Sequence, residues 1–124
     1  INDPQKKFIR YLGNKSFDET LKLYQRFDLH VVPSTCETFG QILLEAIARG
    51  IPNVCSDIEV FREITNNNSA FFKPRDIQDM SDVIESLMLS NNTRIKISNS
   101  AIKFIKKNYS WNKSSYETFK LINT

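Results

Sequence analysis

Short apolar runs alternate with longer stretches of helical periodicity along most of the chain. The predicted strands are Phe8–Leu12, Leu29–Val32, Asn53–Cys55 and Ala70–Phe72. Between and after them, apolar residues recur three and four positions apart, which places them on one face of a helix. Strands separated by helices indicate parallel pairing with right-handed crossovers. The pattern therefore predicts an α/β fold, in which a parallel sheet lies between two layers of helices.

The predicted helices begin at side chains that can cap them. Ser16 and Glu19 match the capping-box pattern, and Asp76, Asn92 and Ser110 are expected to cap three later helices. A short helix is predicted over Val60–Ile64, followed by a turn at Asn66, Asn67 and Asn68. The apolar helix positions are expected to be Leu21, Leu23, Tyr24 and Phe27, then Met80, Val83, Ile84, Leu87 and Met88, then Ile95, Ile102 and Ile105, and finally Trp111, Tyr116, Phe119 and Ile122.

The most apolar helix lies in the run PSTCETFGQILLEAIARGIP. From Gln41 to Arg49 its only polar residues are Gln41, Glu45 and Arg49, which are four apart and share one face. Gly50 supplies a left-handed stop. At the other end, Gly40 allows the backbone to approach a ligand, and the first free N–H groups favour an anion.

Two carboxylates flank this helix start, Glu37 in the preceding loop and Glu45 one turn into the helix. We expect both to face one cleft, because ligands of α/β sheets bind beyond the carboxyl ends of the strands. In this arrangement the two carboxylates would bind sugar hydroxyls, and the N–H groups between them would bind phosphate. The predicted ligand is therefore a nucleotide sugar. The alternatives are an exposed ion pair of Glu45 with Arg49, worth about 0.3–0.5 kcal/mol, and a helix N-terminal acid for Glu37.

Composition indicates one compact domain over residues 1–124, with 40% hydrophobic residues and a net charge of +3. Four lysines, Lys96, Lys103, Lys106 and Lys107, are predicted to form a solvated helix face. The alternative for them is a contact with anionic lipid or a polyanionic acceptor. Exposed aromatic residues are not interleaved with them, so nucleic acid is not an expected partner.

Cys36 and Cys55 match no metal-ligand spacing, and a single histidine does not complete a zinc site with them. Reduced thiols in a cytoplasmic protein are therefore expected. No apolar run approaches the ~20 residues of a membrane-spanning helix.

The run ETFGQILLEAIARG, preceded by DLHVVPS and followed by IPNVCSD and VFREI, resembles the E-x7-E region of retaining glycosyltransferases with two Rossmann-like domains. These are the GT-B enzymes, and the resemblance is to family 4, the glycosyl transferases group 1. The segments YLGNKSFDETLKLYQRFD, AFFKPRDIQDMSDVI and NYSWNKSSYETF extend it in order. It implies a partial Rossmann-like three-layer sandwich, namely the C-terminal GT-B domain without its first two strand-helix units.

The resemblance also implies a role for each matching residue. Glu45 would accept hydrogen bonds from the ribose hydroxyls, and Glu37 would act catalytically by contacting the donor sugar and stabilising positive charge at its anomeric carbon. The rest of the implied donor site is Thr38, Phe39, Gly40, Gln41 and Ile42 for the sugar and distal phosphate, with the backbone around Lys15 for the base.

The implied reaction is retaining transfer of a hexose from a nucleoside diphosphate sugar to a hydroxyl of a glycan or glycolipid, such as capsule or lipopolysaccharide. No metal or other cofactor is expected. The acceptor would be bound by an N-terminal domain that this chain lacks, so the chain alone is expected to be inactive. The whole enzyme would work in the cytoplasm, where contact with the inner face of the membrane is one option.

The absence of the domain's first strand, which the resemblance implies, would have a further consequence for the sheet. In the family's strand order, it would leave the edge of Leu29–Val32 unpaired, and an open apolar edge invites pairing with another chain. We therefore expect self-association or a rearranged first strand.

Other functions remain open from the sequence. A phospho-receiver domain has similar length, and Asp57 and Lys73-Pro74 mimic its phosphorylated Asp and Lys-Pro step. However, YLGNK offers no acidic pair for magnesium, and Lys73 follows Asp57 by only sixteen positions. A sugar-nucleotide epimerase of the same fold, or a related domain that only binds, is the third option.

Overall fold

The computed structural model describes residues 8–110, 113–116 and 120. In chain order the elements are α1 (Phe17–Tyr24), β1 (His30–Val32), α2 (Gln41–Ala48), β2 (Asn53–Ser56), α3 (Glu59–Thr65), β3 (Ala70–Phe72), α4 (Ile77–Leu89) and α5 (Asn91–Asn108). A further helical turn covers residues 113–116.

The three strands form one parallel sheet in the order β1-β2-β3. Val54 of β2 is paired with Val31 of β1 on one side and with Ala70 of β3 on the other. Because β2 lies between two strands and two helical layers, all four of its residues are buried. This arrangement confirms the predicted α/β fold with a parallel sheet.

Helices cover both faces of the sheet, because successive strand residues point to opposite sides. On one face, Val32 and Cys55 pack with α2, α3 and α5 through Leu43, Phe61 and Ile105. On the other face, a second cluster joins Val54 and Phe72 to Leu87 of α4. The predicted three layers are therefore present. α1 packs Tyr24 against Ala46 of α2 and against Ile51.

The predicted strand Phe8–Leu12 is wrong. The structure has no strand there, and Phe8, Ile9 and Tyr11 are 78%, 70% and 92% exposed. An apolar run becomes a strand only when a neighbouring strand completes its hydrogen bonds, and none of the three described strands pairs with it. The rearranged first strand is thus not observed, whereas β1 does have an open edge within the described residues.

Most predicted caps are confirmed. The Ser16 Oγ accepts from the Glu19 N–H at 3.3 Å, and Glu19 in turn accepts from the Ser16 N–H at 2.9 Å. Asp76 caps α4, and the Ser110 Oγ accepts from the Lys113 N–H. Asn92 was wrong as a cap: Ser90 takes this role for α5 because its Oγ accepts from the Thr93 N–H.

Several predicted inward positions are wrong. Met88 and Ile95 are exposed because they lie beside the turn between α4 and α5, beyond the sheet-facing Leu87. Phe27 is exposed because α1 ends at Tyr24. The predicted turn after α3 is confirmed, and the structure places Asn66 and Asn67 of it in the left-handed region. Trp111, Phe119 and Ile122 lie outside the described residues.

Candidate functional site

The candidate site is the junction at which the loop after β1 enters α2. Gly40 begins the helix in the left-handed region, with φ of 74°. A β-carbon at this position would lie 2.7 Å from Cδ1 of Ile64 and 3.0 Å from Cε1 of Phe61. The junction is therefore pressed against α3 in a manner that a side chain at position 40 would disturb.

The N-terminus of α2 has no side-chain cap. The Gly40 carbonyl accepts from the N–H groups of Leu43 and Leu44 at 3.0 and 3.3 Å. The N–H groups of Gln41 and Ile42 come before these in the chain. They have no acceptor within the helix, because they belong to its first turn. Such N–H groups, together with the helix dipole, attract an anion.

Two large apolar side chains at the junction are exposed to solvent. Phe39 is 52% exposed and Ile42 is 47% exposed, although both are large apolar residues. By contrast, Leu43, Ala46 and Ile47 on the other face of α2 are buried. The predicted division of this helix into a buried face and an exposed face is therefore confirmed.

Glu45 lies on the exposed face, one turn after the helix start. Its Oε1 accepts a hydrogen bond of 3.0 Å from Nε2 of Gln41. The alternative partner Arg49 makes no ion pair with it in the part of the chain that the structure describes, where Arg62 and Asp57 form the recorded pair. The side chain of Gln41, one turn earlier in α2, thus orients the carboxylate of Glu45.

Tyr24 supports this helix from α1, a role that the sequence did not suggest. Its hydroxyl donates to the carbonyl of Ile42 at 3.4 Å. Burial raises the pKa of Tyr24, and the negative charge of Glu45 adds to the shift. The phenol therefore remains neutral and continues to donate. Its presence among the apolar positions of α1 was the only sequence signal.

His30 lies behind Tyr24, with the two rings edge to face and their centroids 5.6 Å apart. Its Nδ1 is 2.8 Å from Oδ1 of Asn53. Because the Nδ2 of Asn53 donates to the carbonyl of Ile51, the Oδ1 is an acceptor and Nδ1 carries the proton. Burial lowers the pKa of His30, against a smaller opposite effect of Asn53. The imidazole is thus held neutral beneath the site.

Glu37 is half-buried in the loop before the helix, and its Oε1 accepts from the N–H of Thr38 at 3.0 Å. Glu37, Thr38, Phe39 and Gly40 lead directly into α2. Lys15 lines a groove of about 450 Å³ along α1 with Leu23 and Arg26. The catalytic role of Glu37 and the base contact at Lys15 stay predictions.

Asp57, the residue on which the signalling-domain alternative depends, is engaged by Arg62. The guanidinium bonds both carboxylate oxygens of Asp57, one of them at 2.7 Å, and also Oδ1 of Asn67. It lies 4.5 Å from the centroid of the Phe71 ring. This network joins the end of β2 to α3 and β3, which is a structural use of the carboxylate.

Within residues 8–110, 113–116 and 120, no three His, Cys, Asp or Glu side chains come together in a way that would hold a metal ion. In the same ranges, no helix combines the length and the hydropathy needed to cross a bilayer. Cys36 is exposed, Cys55 is buried, and both are free thiols.

Comparison with protein families matches residues 4–104 to the family described as glycosyl transferases group 1. An uncharacterized glycosyltransferase of Methanocaldococcus jannaschii is 32% identical over 110 residues, which cover 87% of this chain and 28% of that protein. The O-antigen chain mannosyltransferase of Salmonella typhimurium is 33% identical over 79 residues, covering 64% and 22%.

Among solved structures, the sucrose-phosphate synthase of Thermosynechococcus elongatus superposes with a TM-score of 0.83 at 17% identity. The superposition covers 92% of this chain and 29% of that one. At this identity the likeness concerns the fold. The chain spans less than a third of the length of the curated relatives it matches.

Proposed function

Since the chain belongs to the glycosyl transferases group 1 family, we propose that it forms the donor-binding part of a retaining glycosyltransferase. The donor is a nucleoside diphosphate sugar, and a hexose is transferred to a hydroxyl of a glycan or glycolipid. The observation that carries this proposal is the junction itself: an uncapped helix start at a buried Gly40, with an oriented carboxylate at Glu45 one turn later.

Phosphate binding is assigned to the first turn of α2. The N–H groups from Phe39 to Ile42 surround a helix start whose side-chain cap is absent. The distal phosphate replaces such a cap by accepting from these groups, and the helix dipole favours its charge. The close packing of Gly40 against Ile64 keeps the backbone of this turn in place.

Ribose binding is assigned to Glu45. An ionised carboxylate has two oxygens and accepts from two adjacent hydroxyls at once. The Gln41 amide occupies one lone pair of Oε1 at 3.0 Å, which fixes the direction in which the remaining acceptor sites point. The site therefore binds a nucleotide with its ribose near the second turn of α2 and its phosphate near the first.

Glu37 is assigned to the donor sugar. In the transfer, the bond between the anomeric carbon and the phosphate oxygen breaks, and a bond to the acceptor oxygen forms on the same face. Positive charge develops at the anomeric carbon, which a nearby carboxylate stabilises. The leaving diphosphate keeps the bonding electrons, is stabilised by the helix start and receives the acceptor proton. Preorganised dipoles of this kind supply much of the rate.

The remaining parts of the proposal concern the whole protein. The named activity of the O-antigen mannosyltransferase supports a hexose donor and a polysaccharide or lipopolysaccharide acceptor. Because the chain spans less than a third of that relative, acceptor binding is assigned to other parts of the protein. Its site of action is proposed to be the cytoplasm or the inner face of the membrane, and no metal is assigned to the reaction.

The test is a titration of the chain with UDP, GDP and ADP, since the base is unassigned. Glu45→Ala is expected to weaken the nucleotide that binds by about 1–3 kcal/mol, because ribose hydroxyls lose their partners. Glu85→Ala removes an exposed carboxylate from α4 and is the matched control. Equal affinities of the native chain and the Glu45 variant would refute the assignment.

A further inference from the structure

The helix α5 carries positive charge that nothing on the same helix balances. Over its 18 residues it has no aspartate or glutamate, whereas it has five basic residues. These are Arg94, Lys96, Lys103, Lys106 and Lys107. A surface helix usually alternates charges of both signs, because pairs three or four positions apart stabilise it. The composition of α5 therefore points to an interaction outside the helix.

The four lysines of α5 lie on one face. Lys96, Lys103 and Lys107 are spaced by seven and four positions, which places them on one line along a helix. Lys106 lies beside that line. All four are exposed, whereas the opposite face of α5 enters the core through Ile105. From Lys96 to Lys107 the charges extend over about 17 Å, at the usual rise per residue.

In the part of the chain that the structure describes, none of these lysines forms an ion pair with an acidic residue. The neighbouring helix α4 is acidic, but two of its carboxylates have partners within their own segment. Asp79 accepts from the N–H of Lys73 at 2.6 Å, and Asp82 accepts from Nε2 of Gln78 at 2.8 Å. The positive face of α5 is thus available to an external anionic partner.

Apolar side chains are exposed at the end of α5 where the lysine face begins. Leu89, Ile95 and Met88 are 81%, 50% and 49% exposed. The turn that carries them is held by Arg94, whose Nη1 donates to the carbonyls of Leu87 and Met88 at 2.6 and 2.7 Å. The fifth basic residue therefore has an internal role, and it fixes exposed apolar residues next to the basic face.

A basic face with apolar residues at one end matches the surface of an anionic bilayer. Lysines attract the negative headgroups, and the apolar side chains enter the boundary between headgroups and acyl chains. Charges that extend over about 17 Å suit an extended surface rather than a single small anion. Single-stranded nucleic acid is less compatible, because its bases stack on aromatic rings and none is exposed in Asn91–Asn108.

We propose that the exposed face of α5 binds the surface of a membrane that contains anionic lipids. The helix lies parallel to the bilayer, with Lys96, Lys103 and Lys107 at the headgroups. Leu89 and Ile95 enter the interface at the N-terminal end of the helix. Electrostatic attraction and apolar insertion act together, since either alone gives weak and reversible attachment.

The place of α5 in the fold gives this contact a consequence for the candidate site. Tyr109 directly follows α5 and lines one groove with Phe39, so the end of the lysine face lies near the start of α2. A membrane-bound α5 holds the candidate site close to the headgroups. That a lipid-linked acceptor is reached in this way rests on the proposed function, whereas the membrane contact itself does not.

The experiment is co-sedimentation of the chain with vesicles of phosphatidylcholine, either pure or with about a third of phosphatidylglycerol. The chain should bind the anionic vesicles and dissociate as NaCl rises from about 0.05 M to about 0.5 M, because salt screens the charges. A triple variant with Lys96→Gln, Lys103→Gln and Lys107→Gln should bind about 100-fold more weakly, since each lysine near an anionic surface contributes about fivefold.

Two matched controls separate the position of these groups from their number. The triple variant Lys22→Gln, Arg26→Gln and Lys73→Gln loses the same charge from exposed residues outside α5 and should bind nearly as the native chain does. Leu89→Ser should weaken binding by about 10-fold, because an inserted leucine side chain is lost. Ile77→Ser removes a 78% exposed side chain at the other end of α4 and should have no effect.

Absence of binding to anionic vesicles would overturn the proposal, as would equal binding to pure phosphatidylcholine. Equal losses in the two triple variants would show that net charge acts without a defined surface. Binding to heparin but not to anionic vesicles would make α5 a site for a soluble polyanion instead. None of these variants changes a residue assigned to the nucleotide, so their nucleotide affinity should equal that of the native chain. Failure of the membrane contact and failure of the donor site are thus separate results.

Discussion

The side-chain amide of Gln41 donates a hydrogen bond of 3.0 Å to the carboxylate of Glu45 one turn later in α2. Gln41 is exposed and Glu45 is half-buried, so the bond contributes little to folding. Its consequence is orientational, because it restricts the rotamers of a carboxylate that otherwise moves freely. This hydrogen-bonded pair therefore orients a carboxylate on the exposed side of an otherwise apolar helix.

This relationship predicts separate effects of Gln41→Ala on stability and on binding. The free energy of unfolding should change by less than about 0.5 kcal/mol, the value of a pair four residues apart on a helix. Nucleotide affinity should fall, but by less than in Glu45→Ala. Urea unfolding and calorimetric titration measure the two quantities.

A matched control is available in α4. There the Nε2 of Gln78 donates to Oδ1 of Asp82 at 2.8 Å, with the same spacing. Gln78→Ala should match Gln41→Ala in stability and leave nucleotide affinity unchanged. Equal affinity of the native chain and Gln41→Ala would show that Gln41 does not orient Glu45.

Gly40→Ala is expected to destabilise the chain by about 2–4 kcal/mol, because it combines an unfavourable positive φ with overpacking against Ile64. Gly13→Ala provides the comparison. Gly13 has a similar φ of 66°, but a β-carbon there would meet no atom within 4 Å. Gly13→Ala should therefore destabilise the chain by about 1–2 kcal/mol, because only the unfavourable positive φ contributes. Chemical denaturation of both variants gives the difference, and equal losses would mean that the contact with Ile64 is absent.

His30 predicts a loss of stability in mild acid. Its pKa in the folded chain lies below the ordinary value of 6.5 because of burial. As the pH falls below that value, the unfolded chain takes up the proton first, so the free energy of unfolding decreases. The stability that the neutral imidazole of His30 contributes is fully present above the ordinary pKa.

The measurement is urea unfolding at about pH 7.5 and about pH 5.5, across the ordinary histidine range. His30→Asn removes the titrating group and should show a smaller decrease between these two conditions. If the native chain and the variant lose stability equally, His30 is not buried as a neutral imidazole.

The open edge of β1 predicts self-association. The His30 N–H points towards β2, where it donates to the carbonyl of Pro52. Because successive residues of a strand alternate in direction, the N–H of Val31 points to the open edge. If two chains pair there, the Val31 amide will exchange its hydrogen slowly at high protein concentration and rapidly on dilution. The His30 amide is the internal control, since its bond lies within the chain. Monomeric sedimentation at every concentration would contradict this prediction.

Elements with strong local signals were predicted closely from the sequence. The bounds of β3 agree at both ends. The capping box at Ser16 and Glu19 is formed as expected, because it depends only on residues three positions apart. The same holds for α2, whose apolar face and glycine stop are encoded within one short run.

Features that depend on distant neighbours were not predictable in this way. Phe8–Leu12 has the composition of a strand, but composition does not supply the partner that a strand requires. The run Ser90-Asn91-Asn92 offers three capping residues, and local pattern alone does not select Ser90. Within the site, the hydrogen bond from Tyr24 to α2 joins residues that are far apart in the chain.

We propose that the start of α2 binds the diphosphate of a sugar nucleotide. The most direct test is to record backbone amide resonances while adding a nucleoside diphosphate, and then the corresponding nucleoside without phosphates. The amides of Gly40, Gln41 and Ile42 should shift with the diphosphate and not with the nucleoside, while the amide of Glu45 should respond to both. Shifts confined to other parts of the chain, with these four amides unchanged, would contradict it.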